Sequence, residues 1–156
     1  IDHDCAFVLN GPPELAADLG FDGIHLDDPA PKAVKAAVAK LGNAGIVGVS
    51  AGTSRHAAME AAEAGASYVS FGPCFDTPTK DRPAAPDAIE TLGWWASMME
   101  VPCVAVGGIT PERASGIAAT GCEFICAVSA VWNHPEGPGA AVAAFHAALA
   151  DIGGRG

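Results

Sequence analysis

Two hydroxyls and an amine fall within four positions at Thr77-Pro78-Thr79-Lys80. Lysine acts as a point cation and threonine hydroxyls donate to phosphate oxygens, so the group suits a phosphorylated ligand. It follows Tyr68-Val69-Ser70-Phe71, a short apolar run stopped by Gly72-Pro73. A buried strand would therefore deliver these groups on the loop beyond its C-terminal end. Gly107-Gly108 closes another apolar run and leads into Thr110-Pro111-Glu112. Backbone N–H groups of such a turn, ahead of a helix, are ready anion donors. Further polar residues close or follow the other apolar runs: Asn10, His25, Asp27 with Asp28, Ser50, and Ser129 beside Val128.

The elements that must position these groups alternate. Apolar runs at residues 5–10, 23–26, 46–50, 68–71, 102–106 and 124–128 read as strands. Helices are expected between them. One runs over 14–19 after two prolines, and one over 31–41 with Val34, Ala37, Val38 and Leu41 at helical spacing. Others run over 55–64 capped by Ser54, over 88–99 capped by Asp87, after Thr110 as cap with Pro111 next, and over 139–149. Six strand–helix units with near-continuous apolar strands imply a parallel sheet buried on both faces. Such folds place their sites at the C-terminal ends of the strands, which is where the polar residues recur. The glycine-rich turn of a doubly wound fold is missing after the first strand, and Gly107-Gly108 suits a barrel phosphate site. The segment 81–86 is charged and proline-rich and reads as a loop over the site.

The 156 residues fit one domain, taken as 1–152 with a flexible tail at 153–156. Net charge is −10, from 8 basic and 18 acidic residues, which argues against a nucleic-acid partner or an anionic membrane surface. No apolar run is long enough to span a bilayer, and no signal-peptide pattern is visible. The five cysteines fit no zinc spacing; reduced thiols and a cytoplasmic setting are expected, with Cys103 and Cys126 as small strand hydrophobes. His3, His56, His134 and His146 read as surface or structural residues, and Trp94 and Trp95 as packing. The first residue is Ile1, and the natural N-terminus is expected to be missing or processed.

Taken in order, Phe7-Val-Leu-Asn10, Gly23-Ile-His25, Gly48-Val-Ser50, residues 68–80, Val106-Gly-Gly-Ile109 and Ala127-Val-Ser129 resemble thiamine-phosphate synthases. Trp94-Trp95 through Trp132-Asn-His-Pro135 is similar to the bacterial branch of that family. The resemblance implies a TIM-type (β/α)8 barrel with six of eight units present. It implies a transferase that joins a hydroxymethylpyrimidine diphosphate to a thiazole phosphate, releasing pyrophosphate with Mg²⁺. By the same resemblance Lys80 and Ser50 are catalytic. Asn10, His25, Ser50, Thr77, Thr79, Lys80, Gly108, Val128 and Ser129 bind substrate, and Asp27 or Asp28 holds the metal.

The chain departs from the family pattern in lacking the first two units, in Gly11 where an aspartate is usual, and in a shorter loop after His25. Six strands cannot close an eight-strand barrel unchanged. An open sheet with a gap is expected, or a homo-oligomer that covers the edge. Two other readings compete. One is a thiazole tautomerase-like isomerase, with His25 and Cys74 as candidates for proton transfer. The other is a non-catalytic phosphate-binding remnant keeping Thr77, Thr79 and Gly108.

Overall fold

The computed structural model describes residues 5–77, 79 and 83–150. Lys80, residues 81 and 82 of the loop expected over 81–86, His3 and the tail at 153–156 lie outside the described residues. Six strands and seven helices follow one another among the described residues. They are β1 (Val8–Asn10), α1 (Pro13–Leu19), β2 (Gly23–Leu26), α2 (Pro31–Leu41), β3 (Ile46–Gly52), α3 (Arg55–Glu63) and β4 (Tyr68–Phe71). After these come α4 (Ala88–Met98), β5 (Cys103–Val106), α5 (Pro111–Ala118), β6 (Phe124–Cys126), α6 (Ser129–Trp132) and α7 (Pro138–Ala150). Strand order in the sheet is β1-β2-β3-β4-β5-β6. An order that never reverses is the winding of a barrel, whereas a doubly wound sheet has a switch point.

Local chemistry explains most element ends. Proline stands in the first turn of α1, α2 and α5, where its missing N–H costs nothing. Gly20, left-handed at φ 71°, ends α1 and returns its N–H to the carbonyls of Ala16 and Ala17. The Ser54 hydroxyl accepts from the Ala57 N–H at 3.2 Å and caps α3. Two expected caps are not formed. Asp87 sits at φ −102°, ψ 4°, not in the extended conformation that aims a capping side chain, and makes no cap bond. Thr110 is extended but also makes no cap bond. Its hydroxyl turns to the Glu112 carboxylate, which that hydrogen bond holds below the usual carboxylate range. The short helix α6 was not expected; at four residues it is too brief to leave a periodic signal.

The chain forms two compact units, Ile1–Ser70 and Phe71–Gly156. In the first, β1 and β2 pair in parallel with Leu9 beside Ile24 and Asn10 beside His25. β2 and β3 continue the register, with Ile24 beside Val47 and His25 beside Gly48. Successive side chains point to opposite faces, so each register row belongs to one face. The row of Leu9, Ile24 and Val47, with Val49, makes an apolar face. Ile24, Val47 and Val49 are fully buried there, and α1, α2 and α3 pack on β2 and β3. The opposite row is Asn10, His25 and Gly48, with Ser50 two residues on. The sheet is buried on both faces, as Gly48 and Ser70 show, but the second face also carries the half-buried His25 and Ser50. Alanine, valine and glycine around a single His or Ser read as a continuous apolar run, which hid the alternation.

In the second unit β5 and β6 pair in parallel, with Val104 beside Phe124 and Val106 beside Cys126. Its core holds Phe71, Leu92, Trp95, Cys103, Ala105 and Ile117, all fully buried. Trp95 packs on Phe71 at 5.3 Å between ring centroids, and its indole N–H donates to the Val101 carbonyl at 2.7 Å. The expected packing role of Trp95 is met. Cys126 is exposed, not a strand hydrophobe, because β6 presents its outer residues to solvent.

A Cβ added at Gly48 would overlap the ring of Tyr68. Gly48→Ala should push that ring away and destabilise the fold by about 1–3 kcal/mol, the usual cost of overpacking. Urea unfolding measures it, and an unchanged midpoint would contradict the packing described.

Candidate functional site

The polar face of the first unit is joined by hydrogen bonds through His25. Its Nδ1 lies 2.9 Å from the Tyr68 hydroxyl, and its Nε2 lies 2.9 Å from Ser50 Oγ. Ser70 Oγ donates to Ser50 Oγ at 3.5 Å. The imidazole also stacks on the Tyr68 ring, with centroids 5.6 Å apart and planes 22° from parallel. Three strands make this chain. β2 supplies His25, β3 supplies Ser50 with the gap at Gly48, and β4 supplies Tyr68 and Ser70 at alternate positions. If the Tyr68 O–H donates to Nδ1, the Nε2–H donates to Ser50 and leaves the serine proton for a ligand. The arrangement then offers an aimed hydroxyl donor with no net charge.

Asn10, the neighbour of His25 in the register, is exposed at the end of β1. Asp27 and Asp28 follow β2 and are both exposed. Asp28 Oδ1 accepts from the Ala30 N–H at 3.0 Å, an Asx turn that commits one of its oxygens. The two aspartates offer only hard oxygen donors, which suit Mg²⁺. That ion keeps several waters and takes one or two carboxylates together with substrate phosphates. The residues present fit it in that sense.

The second unit builds a glycine turn beside the chain that follows β4. After β4 the chain stays paired with the chain after β5: the Cys74 N–H donates to Val106 O at 2.9 Å and the Phe75 N–H to Gly107 O at 3.1 Å. Gly107 and Gly108 have φ 98° and 62°, in the left-handed region. A Cβ on Gly107 would meet Pro73, and one on Gly108 would overlap the Asp76 carbonyl. Arg113 donates to the Gly108 carbonyl at 2.6 Å and lies 4.5 Å over the Phe75 ring. These contacts fix the turn from both sides.

Thr77 is half-buried, and its hydroxyl accepts from the Thr79 N–H at 3.3 Å. Asp76 Oδ1 accepts from the Ala84 N–H at 2.7 Å. Val128 and Ser129 follow β6, where Val128 is exposed and Ser129 opens α6.

The structure thus joins His25 and Ser50 directly and sets Asn10 beside them. Gly108 and Thr77 lie on adjacent, mutually bonded chain segments. Tyr68, Ser70 and Arg113 were not singled out in the sequence. Tyr68 and Ser70 share the spacing of two that puts them on one face, which was a usable signal; Arg113 gave none.

Cys74 is buried and its thiol points to the Phe71 carbonyl at 3.8 Å. Burial pushes the thiol up to about 11, so it stays protonated at neutral pH and is a poor proton acceptor. That burial speaks against Cys74 as a proton acceptor. Alkylation of Cys74 by iodoacetamide in the folded chain should be negligible at pH 7–8 and rise only as pH approaches about 11. Peptide mapping reads this out, and labelling at Cys74 as fast as at the exposed Cys5 would contradict it.

Parallel strands wound in sequence, with polar groups and a glycine turn at their C-terminal ends, define an α/β protein of the TIM-barrel class. A model of the family described as thiamine monophosphate synthase matches residues 2–131. The chain belongs to that family. It is 48% identical to the thiamine-phosphate synthase of Rhodospirillum centenum over 147 residues, covering 92% of this chain and 69% of that protein. It is 46% identical to that of Erythrobacter litoralis over 146 residues, covering 92% and 66%.

Among solved structures, a thiamine phosphate pyrophosphorylase from Pyrococcus furiosus superposes with a TM-score of 0.78 at 26% identity. That match covers 96% of this chain and 69% of the other. The chain therefore spans about two thirds of the length of the relatives it matches. The relatives carry the synthase name, and the isomerase alternative is set aside.

Proposed function

We propose that this chain carries a thiamine-phosphate synthase site, which joins a hydroxymethylpyrimidine diphosphate to a thiazole phosphate. The carbon–oxygen bond to pyrophosphate breaks, and the electron pair leaves with pyrophosphate. The thiazole nitrogen then forms the new carbon–nitrogen bond. The electron-rich pyrimidine stabilises the cation, so the protein must chiefly bind the leaving charge and hold both substrates in line. The observation that carries this reading is the Tyr68–His25–Ser50–Ser70 chain on the polar face of a chain that belongs to this family.

Each residue has a role that its chemistry suits. Ser50, oriented by His25, donates to the polar edge of the pyrimidine. Thr77, Thr79 and the Gly108 backbone take the thiazole phosphate, with Val128 and Ser129 beside that substrate. Lys80 and Asn10 bind pyrophosphate. Mg²⁺, held through Asp27 or Asp28, supplies charge neutralisation for pyrophosphate oxygens when bound. The soluble, cytoplasmic, single-domain reading of residues 1–152 belongs to the same proposal. No described helix is long and apolar enough to cross a membrane.

The test is direct. The chain is mixed with both substrates and Mg²⁺, and thiamine phosphate is quantified. Product should form, and Lys80→Ala should lower kcat/KM by about 100-fold or more, as loss of a charge-stabilising donor does. Thiazole-phosphate binding should survive that change. Ser50→Ala should cost about 10- to 100-fold, the worth of one hydrogen bond to a charged or polarised group. Thiazole phosphate bound with no product formed would favour the non-catalytic reading.

A further inference from the structure

A second cluster lies at the opposite edge of the second unit. Cys103 begins β5, and Cys122 and Glu123 immediately precede β6. The two thiol sulfurs and a Glu123 carboxylate oxygen all lie within 4.8 Å of one another. Cys103 is fully buried, Cys122 is 8% exposed, and Glu123 is exposed. The carboxylate is held in place: its Oε2 accepts from the Cys103 N–H at 2.9 Å and lies 3.4 Å from Cys103 Sγ. The Cys122 thiol faces the carbonyls of Cys103 at 3.4 Å and Phe124 at 3.3 Å. This edge is about 13 Å along the strand from the glycine turn, at 3.3 Å per residue.

We propose that Cys103, Cys122 and Glu123 form a binding site for a thiophilic divalent cation of the zinc type, which would staple the N-terminal ends of β5 and β6. The geometry carries the assignment. With Zn–S of about 2.3 Å and Zn–O of about 2.0–2.2 Å, a tetrahedral centre places sulfur and oxygen ligands about 3.5 Å apart. Cys103 Sγ and Glu123 Oε2 already stand 3.4 Å apart, in an S–H···O hydrogen bond that metal binding would replace. Two sulfurs favour a soft or borderline cation over Mg²⁺ or Ca²⁺, and two cysteines are too few for an iron–sulfur cluster. The exposed carboxylate leaves a fourth position open to water. Binding replaces two S–H bonds by two metal–sulfur bonds and releases two protons to solvent. No electron is transferred. The sequence reading missed the site because its ligands are separated as Cys103…Cys122-Glu123, a spacing that parallel strand pairing closes and no short motif reveals.

The test uses the whole chain, reduced and stripped with a chelator, and titrated with Zn²⁺ alone. Uptake of one equivalent per chain is expected, together with a rise in melting temperature. Cd²⁺ alone should give a thiolate-to-metal charge-transfer band with the intensity of two thiolates. Cys103→Ser/Cys122→Ser should abolish the uptake and the band. Glu123→Gln, at an exposed position that needs no repacking, should weaken Zn²⁺ binding by about tenfold or more. Cys5→Ser/Cys126→Ser, which removes exposed thiols outside the cluster, should change nothing. Failure of the parent chain to take up stoichiometric metal would overturn the proposal. So would uptake that survives loss of Cys103 and Cys122, affinity unchanged in Glu123→Gln, or uptake lost with Cys5 and Cys126.

Discussion

Both ring nitrogens of His25 are engaged, and the polar face depends on that. A histidine with one free nitrogen can rotate and exchange tautomers. One held at 2.9 Å on each side by Tyr68 and Ser50 has its ring plane set by the protein. The tyrosine reaches His25 because Gly48 has no side chain, and its ring lies over that gap. Removing a methyl group from β3 thus lets β4 orient a side chain on β2. Where Tyr68 donates to His25, Ser50 keeps its proton for a ligand, and Tyr68, His25 and Ser70 aim it.

The second unit meets a similar demand with backbone instead of side chains. Three closely spaced glycines, at 72, 107 and 108, allow the chain after β4 to lie against the chain after β5. An added Cβ at any of them would strike the neighbouring segment. Arg113 then closes the turn by donating to Gly108 while covering Phe75. A long flexible cation is an unusual brace, but its planar head can hydrogen-bond in its plane and stack on a ring at once. The Gly108 carbonyl is occupied by this contact, so the groups the turn can offer an anion are its N–H donors, the right polarity for phosphate.

The elements were legible because their punctuation is chemical. Prolines open four helices, and glycines in the left-handed region close loops where no other residue is comfortable. The helix Pro31–Leu41 was readable to its ends for that reason. The barrel-type winding was readable from repeated units and from polar residues at strand ends. What failed was anything set by alternation within a short strand. His25 among Gly, Ile and Leu, or Ser50 among Val and Ala, is too small a polar fraction to show period two. Tyr68 was counted as apolar although its hydroxyl is the part that works. Caps failed at Asp87 and Thr110 because a residue type does not report its own backbone angle or a rival partner such as Glu112. Lys80 stands on the sequence alone.

The two edges of the β5–β6 pair carry unlike chemistry, and this follows from parallel pairing. Parallel strands bring like ends together, so groups that are distant in sequence gather at one edge or the other without mixing. The C-terminal edge gathers Gly107, Gly108, Val128 and Ser129; the N-terminal edge gathers Cys103, Cys122 and Glu123. Active sites of parallel barrels occupy the first edge, and the second serves stability. A cation held at the N-terminal edge would therefore restrain the two strands without entering the reaction. Among the described residues β6 exposes Phe124 to 57% and Cys126 as well.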